Sequence, residues 1–351
     1  MAAFALIGAL DRIFGNRFGL GREFEKGFML LGNLALSMIG MIVMAPFLAE
    51  LMKPLLSFLS GTLHMEPSII PASLFANDMG GAPLACAVAA DEKLGTFNAL
   101  VVSSMMGCTV SFTIPYALGA VDRAQHRPLL LGLLYGIVTL PAGCFVGGLV
   151  LGLPAGTLVL DLLPLVLFSA LIAAGLVLCP EKCVKVFSWV GTLIKILITV
   201  GLALGVLRFL TGVEIIPGLA TLEEGAAICL SAAAVMAGAF PLLHVLSRLL
   251  QRPMKSLGRR LGVGEAAVMG FVATLASSIT TFESMKQMDE KGVMLNAAFA
   301  VSAAFTFADH LAFTAAFDPA CITGVIAGKL LSGVLALSAA NLAWKHLGSA
   351  G

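Results

Sequence analysis

Apolar runs of about twenty residues or more recur along this chain at roughly 27–51, 96–121, 129–153, 160–179, 184–210, 226–249, 292–317 and 321–344. About 20 residues of α-helix cross a hydrocarbon layer of about 30 Å. That layer holds no water, so every backbone N–H and C=O must be bonded within the protein, and long unbroken apolar runs satisfy this as helices. Only 12% of the 351 residues are charged, against roughly 25% in an ordinary soluble domain. The sequence therefore reads as an all-α polytopic membrane protein with about 8–9 transmembrane helices.

Other classes fall away on charge and cysteine usage. A net charge of +1 without a basic stripe argues against a nucleic-acid partner. Seven cysteines are scattered through the apolar runs, and Cys179 and Cys183 in "CPEKC" have no second pair to complete a zinc site. They read as structural thiols, and neither a metal nor a cofactor is expected. The opening "MAAFALIGALDRIFG" lacks the basic start and small-residue cleavage pattern of a signal peptide and reads as a short or truncated first helix.

Loop charges set an expected topology. If the segments 67–90 and 264–285 crossed the membrane like the others, the basic loops at Arg12–Lys26 and Arg248–Arg260 would lie on opposite sides, against the positive-inside bias. If both are instead re-entrant hairpins, Arg123, Arg127, Lys182, Lys185, the loop 248–260 and Lys345 all fall inside. The acidic loops with Glu214, Glu223, Glu224 and Asp318 then fall outside. Segment 67–90 divides at "NDMGG", where Gly80 and Gly81 suit a tight reversal. Segment 264–285 divides at "SSITT", whose hydroxyls are expected to cap the half-helices.

The halves show weak self-similarity: Met41 and Pro46 against Met236 and Pro241, "FNALVVSS" against "LNAAFAVS", and "GLLYG" against "GVIAG". With one hairpin entering from each side, the repeats are inverted, which places a transport site at the midplane among broken helices. The expected divisions are 1–26 for a short helix and basic loop, 27–153 for the first repeat, 154–183 for a linking helix and 184–351 for the second repeat.

A carboxylate within the bilayer is costly and marks a functional site by default. Asp78 lies at the first hairpin tip, and Asp309 lies in "FTFADHLAFTAA" with Ser302 and Thr306 on its i−7 and i−3 face. The expected binding set around them is Asn77, Asp78, Gly80, Gly81, Ser103, Ser104, Thr109, Ser277, Ser278, Thr280, Ser302, Thr306, Asp309 and His310. Phe75, Phe305 and Phe307 flank the carboxylates and offer ring faces to a cation. Each has a plainer reading: an Asx turn for Asp78, an ion pair for Asp309, own-helix bonding for the hydroxyls of "SSMMGCTVSFTIP", core packing for the phenylalanines. Lys329 is open to pairing with a carboxylate, while its segment packs through Gly324, Gly328 and Gly333.

The motifs "EKGFMLLGNLALSMIGM", "NDMGG", "SSMMG", "IPYALG", "GIVTLPAGC", "KQMD" and "FAVSAAF…DHL" together resemble the ethanolamine-utilisation permease family, from about Phe24 to Gly333. The resemblance implies a multi-pass protein of the bacterial cytoplasmic membrane, its C-terminus inside, that imports ethanolamine as the cation or a similar small amino alcohol. The chain departs from the family pattern at Asn77, at Ser277-Ser278 and at Glu283, and its first helix is shorter. Sodium coupling, proton coupling and facilitated diffusion are all compatible with two carboxylates at broken helices, and glycine-spaced faces permit a homo-oligomer. A passive channel remains a rival, as does an intramembrane enzyme using Asp309 and His310. Against the enzyme, adjacent positions on a helix do not face each other.

Overall fold

The computed structural model describes residues 1–63 and 65–347, leaving undescribed the side chains of residues 62, 63, 184 and 347 and several between 247 and 259, including those of Arg252, Lys255 and Arg259. Residues 348–351 of the expected second repeat lie outside the described residues. Every regular element among the described residues is helical.

Helices α1 (Ala2–Ile13) and α2 (Leu20–Met29) meet at a turn closed by Asp11. Its carboxylate accepts the backbone N–H groups of Phe18 at 3.0 Å and Gly21 at 2.9 Å. Helix α2 leads into α3 (Leu31–Leu63). Among the described residues, seven helices are long and apolar enough to cross a membrane: Leu20–Gly61, Glu92–Ala120, Arg123–Val150, Ala155–Leu178, Pro180–Thr211, Leu222–Leu246 and Pro319–His346. They contain seven of the apolar runs.

The run 292–317 is not one helix, contrary to expectation. It divides into α14 (Glu290–Ala303) and α15 (Asp309–Phe317), with Phe305 between them at φ +60. The physical reason lies in a neighbouring helix end. Helix α12 (Glu265–Ala276) leaves its last carbonyls open. Phe305 N–H donates to Thr274 O at 3.1 Å and Phe307 N–H to Leu275 O at 2.9 Å. Apolar composition is the same whether such a run stays helical or pairs in this way. The expected basic loop 248–260 is likewise helical, because α11 continues from Leu222 to Leu261.

The two segments expected to be hairpins do divide at their polar centres. Helix α4 (Ile69–Leu74) ends at extended Phe75, and α5 (Gly81–Val88) starts after Gly80 at φ +92, a left-handed conformation suited to glycine. Glu66 ties the two feet together: its Oε1 accepts Ala90 N–H at 2.8 Å and its Oε2 accepts Asp91 N–H at 3.3 Å. In the second segment α12 ends at extended Ser277 and α13 covers Ser278–Ser284. No side-chain cap forms at Ser277. The buried hydroxyl of Thr281 instead donates to Gly270 O at 3.0 Å, within 2.8 Å of Thr274 Oγ1.

Span Glu92–Ala120 runs through the centre, almost wholly buried. It is α-helical at its ends, α6 (Glu92–Phe97) and α7 (Ile114–Ala120), and π-helical over Asn98–Gly107 and Thr109–Thr113. Thr109 and Ser111 each donate to a carbonyl four residues back, at 2.7 Å. Such back-bonding competes with the regular ladder.

Glycines set the close helix approaches and reveal helix directions. On α8 (His126–Val150), Gly132 meets Met294 and Gly136 meets Val301, so α8 and α14 run parallel. Gly143 meets Ser332 and Gly147 meets Gly324, so α8 and α16 (Ile322–Leu347) run antiparallel. Gly40 of α3 fits so closely against Ile198 of α10 (Pro180–Thr211) that a Cβ there would lie 1.8 Å from the Ile198 carbonyl oxygen.

Candidate functional site

Three chain breaks converge. Ala76 at the first hairpin tip packs with Cys108 of the π-helical span and with Ala304 and Phe305 of the α14–α15 break. That break is itself paired with the end of α12. The tip is held from behind by hydroxyls: Ser103 Oγ donates to Phe75 O at 2.5 Å, and Ala76 N–H donates to Ser111 Oγ at 3.2 Å. Gly81 is required there, since a Cβ would lie 2.1 Å from Ser103 Oγ and 2.2 Å from Phe75 O. Asp78 is thereby placed just ahead of α5, where the partial positive charge of a helix N-terminus favours a carboxylate. Asp309 opens α15 in the same relation.

Next to Asp78 stands a basic pair, Lys329 and His310. Lys329, fully buried in α16, donates to Ser104 O at 2.7 Å and to His310 Nδ1 at 3.0 Å. With Nδ1 accepting, His310 carries its proton on Nε2, which lies 3.9 Å from Asp78 Oδ1, too long for a hydrogen bond. The Phe305 ring lies 5.3 Å from that of His310, and Phe112 stacks edge-on against Phe305 at 5.6 Å. Phe305 holds its left-handed backbone in this cluster, a strain of about 1–3 kcal/mol of the kind that collects at functional sites.

At these breaks, two buried polar side chains among the described residues are left without partners. Both Nδ2 and Oδ1 of Asn77 are buried and unbonded, as is Ser278 Oγ. Buried amides and hydroxyls are almost always bonded, so these groups have capacity to spare for a ligand.

Several expected site residues do other work. Ser302 Oγ pairs with Ser332 Oγ at 2.6 Å, joining α14 to α16. Thr306 Oγ1 bonds Ala303 O, and because residues 304–308 leave the helix, neither residue shares a helical face with Asp309. Thr109 Oγ1 donates to Met105 O and to Val301 O, stitching the central span to α14. Ser104 contributes its carbonyl, and its hydroxyl bonds Val101 O. Phe75 contributes its carbonyl, its side chain packing near Met41 and Ile198, and Phe307 contributes its backbone N–H. Phe305 is the one of the three whose ring joins the cluster. Thr280 is exposed on α13. Thr280→Ala is accordingly expected to leave transport within about twofold of wild type, the factor that about 0.5 kcal/mol carries, as measured by initial uptake rates.

Lys329 is the site member that sequence spacing did not assign. Its signal was a lysine at the heart of an apolar run, but its partners come from 19 and 225 residues away. Beside the first tip, an open cavity of about 690 Å³ is lined by Asn33 and Ser37 of α3, Met79, Phe112, Tyr116 and Lys195 of α10, among others. Tyr116, one of the lining residues, donates to Glu283 Oε1 at 3.0 Å, joining α7 to α13.

Residues 1–343 match the family described as "Ethanolamine utilisation protein, EutH". The chain is similar to the "Probable ethanolamine permease EutH" of Listeria monocytogenes serotype 1/2a (strain 10403S), at 44% identity over 96% of this chain and 91% of that protein. The protein of the same description from Salmonella typhimurium is 39% identical over 97% of this chain and 93% of its own length. "Uncharacterized protein YxeR" of Bacillus subtilis (strain 168) is 38% identical over 98% and 92%. No solved structure matches the chain. With a family match over nearly its whole length and these identities, the chain belongs to the EutH family of ethanolamine utilisation proteins.

Proposed function

We propose that this chain is a membrane carrier that imports ethanolamine as its ammonium cation, or a similar small amino alcohol, across the bacterial cytoplasmic membrane at a site between Asp78 and Asp309. The observation that carries the reading is the charge count of the enclosed cluster. Asp78 and Asp309 are two acids, Lys329 is one base and His310 accepts at Nδ1. With both acids ionised the cluster is one positive charge short, and one ammonium supplies it. Inside a protein the effective dielectric is low, so a single missing charge is felt strongly. The unpartnered Asn77 amide and Ser278 hydroxyl suit the substrate's own hydroxyl, and the Phe305 ring offers a π face. The permease descriptions of the relatives support the same substrate.

The membrane arrangement follows the loop charges: 67–90 and 264–285 are re-entrant hairpins in two inverted repeats, 27–153 and 184–351, linked by 154–183 and preceded by 1–26. The eighth crossing is the discontinuous pair α14–α15. Glu66 bonding both hairpin feet and the parallel and antiparallel helix pairs support this arrangement. In it the C-terminus is cytoplasmic, and the 690 Å³ cavity, lined by the early part of α3 and the first half of α10, opens to the cytoplasm. The conformation is then inward-facing, and alternating access requires the contacts around Tyr116 and Glu283 to rearrange.

The test is uptake of labelled ethanolamine into proteoliposomes. Saturable uptake that unlabelled ethanolamine competes away is expected, whereas absent or non-saturable uptake would overturn the carrier. Asn77→Leu separates binding from folding. Removing an unpaired buried amide should leave the melting temperature equal or higher, while the KM rises about two- to tenfold through loss of one hydrogen bond of about 0.5–1.5 kcal/mol.

A further inference from the structure

A second buried carboxylate cluster lies away from the proposed substrate site, at the feet of the first hairpin. Asp161 is 4% exposed and sits in α9 (Ala155–Leu178). One of its oxygens, Oδ1, accepts from Asn98 Nδ2 at 3.2 Å, and the same amide nitrogen donates to Ser68 Oγ at 3.0 Å. Ser68 Oγ donates to Glu66 Oε1 at 3.2 Å. Glu66 is the residue that holds Ala90 and Asp91 at the far foot. A continuous hydrogen-bonded chain thus runs from the solvent-exposed foot, through Glu66, Ser68 and Asn98, to an acid inside a membrane-spanning helix.

Two acceptors in this chain have no donor: Asp161 Oδ2 and Asn98 Oδ1, on side chains 4% and 0% exposed. The groups that face Asp161 do not neutralise it. Glu66 and Asp91 act on it as like charges, Cys144 of α8 is within its electrostatic reach, and no salt bridge to it forms among the described residues. A metal cation would need several oxygens turned toward one point, and here an amide NH2 already occupies the Oδ1 side. A proton meets the need with less. Placed on Asp161 Oδ2, it removes the uncompensated charge and turns the unpaired oxygen into a donor. The unpaired acceptor belongs to the amide that already donates to the sibling oxygen.

We propose that Asp161 is the binding site of a coupling proton, taken up from the side of the hairpin feet, and that the Asn98–Ser68–Glu66 chain transmits its occupancy to the hairpin carrying Asp78. The protonated acid keeps α9, the central span and both feet joined. Loss of the proton sets Asp161 against the carboxylates of Glu66 and Asp91 and loosens the feet. No bond other than O–H forms or breaks: water on the side of the feet gives up the proton to Asp161 Oδ2, and after the carrier has turned the same carboxyl returns it to water on the opposite side. This inference rests on the carrier reading above.

The experiment is substrate-dependent proton movement, followed by a pH indicator trapped in proteoliposomes, beside labelled ethanolamine uptake and exchange. Asparagine at 161 mimics the neutral acid. Asp161→Asn is expected to keep ethanolamine exchange within a few-fold of wild type while losing both the proton signal and the pH dependence of net uptake. Asp161→Glu is expected to retain the proton signal, so a loss in the asparagine variant is not a failure to fold. Proton movement undiminished in Asp161→Asn overturns the proposal, and so does wild-type uptake that follows a sodium gradient without moving protons. If wild-type ethanolamine uptake is absent, the carrier reading fails instead. The site is then read without substrate, by the carboxylic C=O infrared band of the wild type against Asp161→Asn across pH. A band that titrates and is missing in the variant supports the proton site, and its absence from the wild type overturns it.

Discussion

Asp78→Asn is expected to cut ethanolamine uptake by roughly thirty-fold to several-thousand-fold while the protein stays folded. The range is what truncating one partner of an enclosed ion pair costs, about 2–5 kcal/mol, at tenfold per 1.4 kcal/mol. Asparagine preserves the shape of the tip, so Gly80, Gly81 and the Ser103–Phe75 bond keep the hairpin in place. Only the counter-charge disappears, and with it the one-charge deficit that draws a monocation. The check is initial uptake rate in proteoliposomes, normalised to reconstituted protein, with the melting temperature in detergent as the measure of folding. Asp309→Asn is expected to act in the same direction, because it removes the other acid of the proposed site and with it the same one-charge deficit. Wild-type uptake in both variants would return the aspartates to purely structural roles.

The second large effect is expected at Lys329. Methionine matches the lysine stem in length and apolarity but removes both of its bonds, to Ser104 O and His310 Nδ1. Two acids then lack their resident cation, and removing one member of a buried charge cluster typically costs about 3–5 kcal/mol. Lys329→Met should therefore melt at a clearly lower temperature. Its folded fraction should transport at least about tenfold more slowly, since His310 loses the donor that fixes its tautomer. Thermal unfolding and uptake are read on the same preparation. Unchanged melting and unchanged uptake together would mean that the lysine only fills space.

The residues differ in how they could be read from sequence. Asp78 was legible because a carboxylate beside two glycines in an apolar stretch has few explanations besides a buried turn, and the turn is where expected. Lys329 was legible as an anomaly only: its partners lie on the central span and on α15, and no spacing rule connects residues 104, 310 and 329. Ser302 and Thr306 misled, since they share a face with Asp309 only if residues 304–308 are helical. Asp161 and Asn98 are not joined by any spacing rule, since they lie 63 residues apart in separate segments, and only packing makes them a pair.

The amino-acid sequence by itself determined that the chain is helical and membrane-embedded, where most of its long helices lie, and that its polar interruptions at 77–81 and 277–281 are breaks. Those properties are set by local composition and by the cost of an unbonded backbone in hydrocarbon. Only the tertiary structure decided that the run 292–317 breaks at Phe305, that the break pairs with the carbonyls at the end of α12, and that Lys329 completes the site. Each depends on a donor meeting an acceptor from another part of the chain, where apolar periodicity is the same whichever partner is chosen.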